Sequence, residues 1–214
     1  MIESNLAKVQ SRIDAVNHPQ VVQLIAVSKT RTSAELQLAV DAGQLHFGEN
    51  YLQEALDKID SLKGQSLVWH FIGPIQSNKT SKIAENFHWV HSVDRVKIAK
   101  RLSDQRPDAM GKLNILLQVN IDQEPTKSGF LLDEIISVAP QIENLPNIVL
   151  KGFMCIPSQA NPAESFAKMA ELFAKHPTMD TLSMGMSQDL ELAVENGATF
   201  VRIGTDIFGK RAPK

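Results

Sequence analysis

VVQLIAVSK, residues 21–29, is a uniformly apolar, β-branched run that ends on a serine and a lysine. A strand with one wet face alternates apolar and polar residues; this one does not, so it reads as a buried strand of a parallel sheet. TSAELQLAVDAG follows with helical spacing and stops at Gly43, a good C-terminal cap residue, and the short strand LHFGEN comes next. That is one βαβ unit, and the alternation does not break. Strands are expected from near Val21, Leu45, Leu67, His88, Leu113, Ile148, Asp180 and Thr199, each followed by a helix except the last. Pro140 is expected to end or kink the helix in LLDEIISVAPQI. Upstream of the first strand, Ile2, Leu6, Val9, Ile13 and Val16 form one helical stripe, which His18-Pro19 ends.

Eight such units predict an α/β fold, a closed (β/α)₈ barrel of TIM type with an extra N-terminal helix, as one domain over residues 1–214. The competing architecture is a doubly wound open sheet. It seldom needs eight units, and no GxGxxG follows the first strand.

Composition narrows the function classes. With 43% hydrophobic and 21% charged residues the chain can build a core, and a formal charge of -2 lacks the basic excess of a nucleic-acid binder. Cys155 is the only cysteine, which excludes an intramolecular disulfide and a thiolate zinc cluster; no His/Asp/Glu spacing suggests another metal site. The N-terminal stretch carries Glu3, Lys8, Arg12 and Asp14 and has no apolar leader, and no segment approaches the roughly 18 apolar residues of a membrane span. The expected setting is the cytoplasm, away from membranes, with the chain a monomer.

In a barrel of this kind ligands sit at the C-terminal ends of the strands, and phosphate is often held by the loops after strands seven and eight. Lys29 directly follows the first apolar run, so its amine is expected at the mouth, where partial desolvation favours a neutral amine suited to Schiff-base chemistry. An ordinary ion-paired lysine is the plainer reading. LSMGMSQD at 182–189 and VRIGTDIFG at 201–209 place Ser, Gly and Thr where strand turns into helix, with Ser187 or Thr205 as hydroxyl donors to an anion. Arg202 lies two residues before Gly204, where alternation aims its guanidinium inward, toward a ligand or a buried carboxylate. A lysine at one edge and a phosphate cradle at the other suit pyridoxal 5'-phosphate (PLP), which joins an aldehyde to a phosphate through a rigid ring.

The motifs IAVSKT, HFGENYLQEA, WHFIGPIQSNK, the VNI and TKSG pair, LSMGMSQDLELAVENG and VRIGTDIFGKR together resemble the pyridoxal phosphate homeostasis protein family over nearly the whole chain. The resemblance implies a single barrel like the cofactor-binding domain of alanine racemase. It further implies that Lys29 forms the internal aldimine with PLP, that Arg202 lies near the pyridine nitrogen, and that Ser187, Gly204 and Thr205 hold the phosphate, with Asn50 and Ser183 as neighbours. Family members often carry proline shortly after the lysine. This chain has Thr32, which is expected to cap the following helix instead.

The implied role is to hold PLP for intracellular homeostasis and supply, with PLP-dependent apoenzymes as recipients, rather than to act as a robust catalyst. An arginine at the pyridine nitrogen disfavours its protonation and weakens the ring as an electron sink. The alternative is an amino-acid racemase of low activity. Alanine racemase takes its opposing base, a tyrosine, from a separate β-rich domain, and no room for such a domain is expected after the last strand. Tyr51, His70 and Cys155 are better read as structural, and Met154, Met184 and Met186 as apolar contacts near the ring or core. A third reading is a barrel that grips only a phosphate metabolite.

Overall fold

The apolar run at 21–29 becomes strand β1 (Gln23–Val27), hydrogen-bonded on one side to the second strand and on the other to the last. Parallel pairing on both edges explains why the run has no polar alternation: one side chain in two faces the barrel interior and the other faces the helices. The computed structural model describes residues 1–210, and in them eight parallel strands close in sequence order into a barrel. Positions 211–214, the end of the expected domain and of its last motif, lie outside the described residues.

After the N-terminal helix α1 (Ile2–Asp14) and β1 come α2 (Ser33–Asp41), β2 (His46–Glu49), α3 (Leu52–Ser61), β3 (Val68–Phe71), α4 (Thr80–Asn86) and β4 (Trp89–Val93). The second half runs α5 (Val96–Asp104), β5 (Leu113–Gln118), α6 (Leu132–Glu143), β6 (Ile148–Met154), α7 (Pro162–Ala174), β7 (Thr181–Ser183), α8 (Leu190–Glu195), β8 (Phe200–Ile203) and α9 (Thr205–Phe208). The open doubly wound sheet is thereby excluded.

Two local expectations need correction, and a third, that Pro140 ends or kinks its helix, loses its first alternative. The last strand is followed by a helix after all, the single turn α9, too short for a periodicity reading to find. Helix α1 stops at Asp14 rather than at His18-Pro19. Its buried stripe of Leu6, Val9 and Ile13 is then complete, and a residue before proline is pushed to extended backbone. Pro140 lies inside α6, which continues to Glu143. The carbonyl it leaves without an N–H donor belongs to Ile136, on the solvent face at 78% exposure, where water can serve it.

The main core lies between sheet and helices. Leu24, Ala26, Phe47, Val90, Ile115, Leu117, Phe153 and Val201 from the strands pack on Leu36, Ile83, Ile98, Leu102, Ile135, Phe166 and Leu190 from the helices. Helix α1 joins this outer ring through Leu6, Val9 and Ile13 and ties to α9 by an Asn5 side-chain bond to the Ile207 carbonyl. Thr32 caps α2 as expected: its hydroxyl accepts the Glu35 N–H, while the Glu35 carboxylate accepts the Thr32 N–H. Among the described residues no helix is long and apolar enough to cross a membrane.

Candidate functional site

Barrel closure brings the C-terminal strand ends to one mouth. There Lys29, Asn50, Ser187, Arg202, Gly204 and Thr205 line a single cavity of about 620 Å³, with Met154 and Met186 among its apolar walls. Of the residues expected from the sequence, Ser183 is not in the lining. It is fully buried, one step below Arg202.

Lys29 is half-buried at the rim, two residues past β1. Its backbone is fixed from both sides. Lys58 on α3 donates to the Ser28 carbonyl at 2.7 Å, and the Thr30 N–H donates to Glu54 at 2.5 Å. Thr30 itself sits at φ 63, in the left-handed region that a β-branched residue seldom enters. Behind the rim, Lys58 also donates to Glu49 at 2.7 Å and to Glu54, and the Ser28 hydroxyl donates to Glu49 at 2.6 Å. Burial raises the Glu49 carboxyl above its ordinary value, and the Lys58 ammonium opposes that rise. This brace escaped the sequence reading. The available signal was Lys58 on the face of α3 that carries Ala55 and leads to Leu62 just past its end, a buried stripe where an unpaired charge is not tolerated.

Arg202 points inward from β8 and is 5% exposed. Its guanidinium donates to the Ser183 hydroxyl at 2.8 Å and to the Cys155 carbonyl at 2.9 Å, and burial lowers its pKa from the ordinary value. Among the described residues no carboxylate is hydrogen-bonded to it, so the alternative of a buried carboxylate partner is not realised there. Beneath Ser183 the interior holds three imidazoles: His91 Nδ1 lies 2.9 Å from the serine oxygen, His91 Nε2 2.9 Å from His70 Nδ1, and His70 Nε2 3.0 Å from His46 Nδ1.

The turn after β7 packs tightly against α8. Gly185, at φ +94, has room for no side chain, since a Cβ there would lie 2.6 Å from that of Ala193. Arg12 of α1 reaches this turn and the start of α9. It donates to the Ser187 carbonyl at 3.0 Å, to Asp206 at 2.6 Å and through two nitrogens to Glu191 at 2.6 and 2.9 Å. The last of these contacts, with Glu191, is the main reason the Arg12 pKa is raised. Asn50 follows β2, its backbone so near Gly73 that a Cβ on that glycine would fall 2.2 Å from the Asn50 carbonyl oxygen. Its side-chain Oδ1 is buried and has no hydrogen-bond partner among the described residues, although Asn50 lines the cavity.

The other candidates sit elsewhere. Tyr51 is 55% exposed at the start of α3, and His70 uses both ring nitrogens in the interior. Cys155 is buried and its thiol is pushed up to about 12 by desolvation. Met184 is buried in the outer core.

An amine, a buried guanidinium and a Ser/Gly/Thr edge around one cavity suit an anionic aldehyde on a flat ring, and the unpartnered Asn50 oxygen marks a polar atom left for a ligand to meet. The profile of the family described as "Alanine racemase, N-terminal domain" matches residues 1–212. The chain is similar to the pyridoxal phosphate homeostasis protein of Pseudomonas aeruginosa, 51% identical over 220 residues, covering 98% of this chain and 96% of that one. It is likewise similar to that of Escherichia coli, 46% identical over 226 residues, covering 98% and 97%. Among solved structures, PipY of Synechococcus elongatus with PLP bound superposes with a TM-score of 0.88 at 36% identity, covering 98% of this chain and 100% of that one. Alanine racemase of Corynebacterium glutamicum, 17% identical with a TM-score of 0.72, shares the barrel; the match covers 96% of this chain and 59% of that one.

Proposed function

The chain belongs to the pyridoxal phosphate homeostasis protein family, and on that premise we propose that it binds PLP at Lys29 and serves intracellular PLP homeostasis and supply. The observation that carries this reading is that Lys29, Arg202 and the Ser187 and Gly204–Thr205 turns border one cavity. When bound, PLP supplies an aldehyde that condenses reversibly with a primary amine and releases water. Lys29 offers the amine, and the brace behind it fixes where that amine starts. Ser187, Gly204 and Thr205 would hold the phosphate, Arg202 would be the hydrogen-bond donor for the pyridine nitrogen, and Asn50 would be a further polar neighbour. Ser183 supports Arg202 from below.

A carrier role fits better than racemisation because inversion needs a second base across the ring. Tyr51, His70 and Cys155 are all outside the lining of the cavity, and a thiol at about 12 does not ionise at neutral pH. The recipients in this reading are PLP-dependent apoenzymes, and the compartment is the cytoplasm.

The test is direct. Protein incubated with PLP and desalted should be yellow, borohydride should fix the label on the peptide that contains Lys29, and Lys29→Ala should take up no label. Loaded protein should restore an apoenzyme without exchanging the α-hydrogen of free amino acids for deuterium. A label on another lysine, or sustained α-hydrogen exchange, overturns the proposal.

A further inference from the structure

Bulky branched side chains such as Val, Ile and Leu dominate the interior of most barrels of this type, whereas here three imidazoles stand in series under the cavity floor. Buried imidazoles cost free energy unless their nitrogens are paired, and these are paired end to end. His70 stacks on Trp89 at 5.8 Å between ring centroids, His91 stacks on Phe200 at 5.8 Å, and Trp89 meets Phe200 edge-on at 4.9 Å. The two large rings thus pack against the imidazole series.

The direction of the series follows from its upper end. A guanidinium has donors only, so the Ser183 oxygen must accept from Arg202. The serine proton then goes to the remaining neighbour of that oxygen among the described residues, His91 Nδ1. A neutral His91 therefore carries its proton on Nε2 and gives it to His70 Nδ1; His70 does the same toward His46 Nδ1. Any single ring in the opposite tautomer would set two donors, or two bare lone pairs, face to face, and reversing all three would leave the buried Ser183 O–H with no acceptor among the described residues. Burial lowers the pKa of all three rings, those of His70 and His91 most, which keeps them neutral.

We infer that His91, His70 and His46 form a one-way hydrogen-bonded series, each as the Nε2–H tautomer, that holds the Ser183 oxygen as an acceptor and thereby positions Arg202 at the cavity. His91 is the positioning residue closest to Arg202. The inference concerns the protein without added ligand; only its consequence for PLP rests on the function proposed above.

Nitrogen-15 NMR of the unaltered chain at neutral pH reads the tautomers directly. All three rings should show a protonated Nε2 and a bare Nδ1, and Arg202 should show separate Nη signals because its guanidinium is held. A protonated Nδ1 on His91 or His70 overturns the inference. His91→Leu removes the acceptor for the serine proton and should merge the Arg202 Nη signals through faster rotation. His91→Asn, whose Oδ1 stands near the old Nδ1, should keep them apart. PLP affinity should fall about 10-fold, or about 1.4 kcal/mol, in His91→Leu and recover in His91→Asn. Equal Nη signals in both variants overturn the positioning role. If the unaltered chain takes up no PLP while the tautomers are as stated, the cofactor reading fails and the inference stands.

Discussion

Lys58→Met keeps the apolar stem of the side chain and removes the ammonium from the cluster behind Lys29. Three hydrogen bonds go with it, to the Ser28 carbonyl, Glu49 and Glu54. Lys58 is 3% exposed and Glu49 0%, so water does not replace the lost cation. Removing one partner of a buried ion pair costs about 3–5 kcal/mol, and the partly exposed Glu54 adds little. In a domain of this size each kcal/mol moves Tm by roughly 2–4 °C, so a fall of about 6–20 °C is expected. The loss should also depend on pH. A carboxyl whose folded-state pKa is raised contributes stability that is present below its unfolded pKa and lost as pH rises through the folded value. Glu49 is such a group, and without Lys58 its pKa rises further, which extends the window upward. Calorimetry or urea melts should therefore show a smaller deficit near pH 5 than near pH 8, and Lys58→Met with Glu49→Gln should recover much of it. A deficit of the same size at both pH values, or none, would falsify the assignment of Lys58 as the compensating charge.

Two further outcomes are expected. Thr30→Gly relieves a left-handed conformation that costs a residue with a Cβ ~1–2 kcal/mol, offset in part by the entropy of glycine in the unfolded chain. Chemical denaturation should show a net gain of up to about 1 kcal/mol, and a clear loss would mean that the threonine side chain makes up for its strain. Cys155, with its thiol pushed up to about 12 by burial, should not react with a thiol-specific disulfide reagent in the folded protein at mildly alkaline pH and should react once unfolded. Prompt labelling of folded protein would contradict the burial.

Much of the barrel was legible because parallel strands buried on both faces leave long apolar runs. The strands begin at or within two residues of the expected positions, from Gln23 against Val21 to Leu113 and Ile148 at the expected residues themselves. The single-turn α9 was not legible, and the sequence leaves open whether α6 stops at Pro140 or runs through it. Each depends on what surrounds a few residues rather than on a repeat. At the site, the lysine, the arginine and the two turns followed from their place at strand ends. Ser183 did not, because its neighbours in LSMGMS look the same in one dimension, and only the fold separates the residue facing the cavity from the one beneath it. The histidines at 46, 70 and 91 belong to three different strands. Their contact exists only once closure turns those strands inward, although the same inward alternation in adjacent strands was a usable clue.

Arg12 has a consequence for how this protein can change. Its guanidinium joins the turn at Ser187 to the start of α9, so the far edge of the cavity is fastened by a residue nearly the whole chain away from it. Substitutions along α1 can therefore tune how firmly that edge is held and, on the function proposed above, how well it would grip a phosphate, while leaving every lining group of the cavity unaltered. The mouth can thus be adjusted from the outside of the barrel, through a helix that lines none of the cavity.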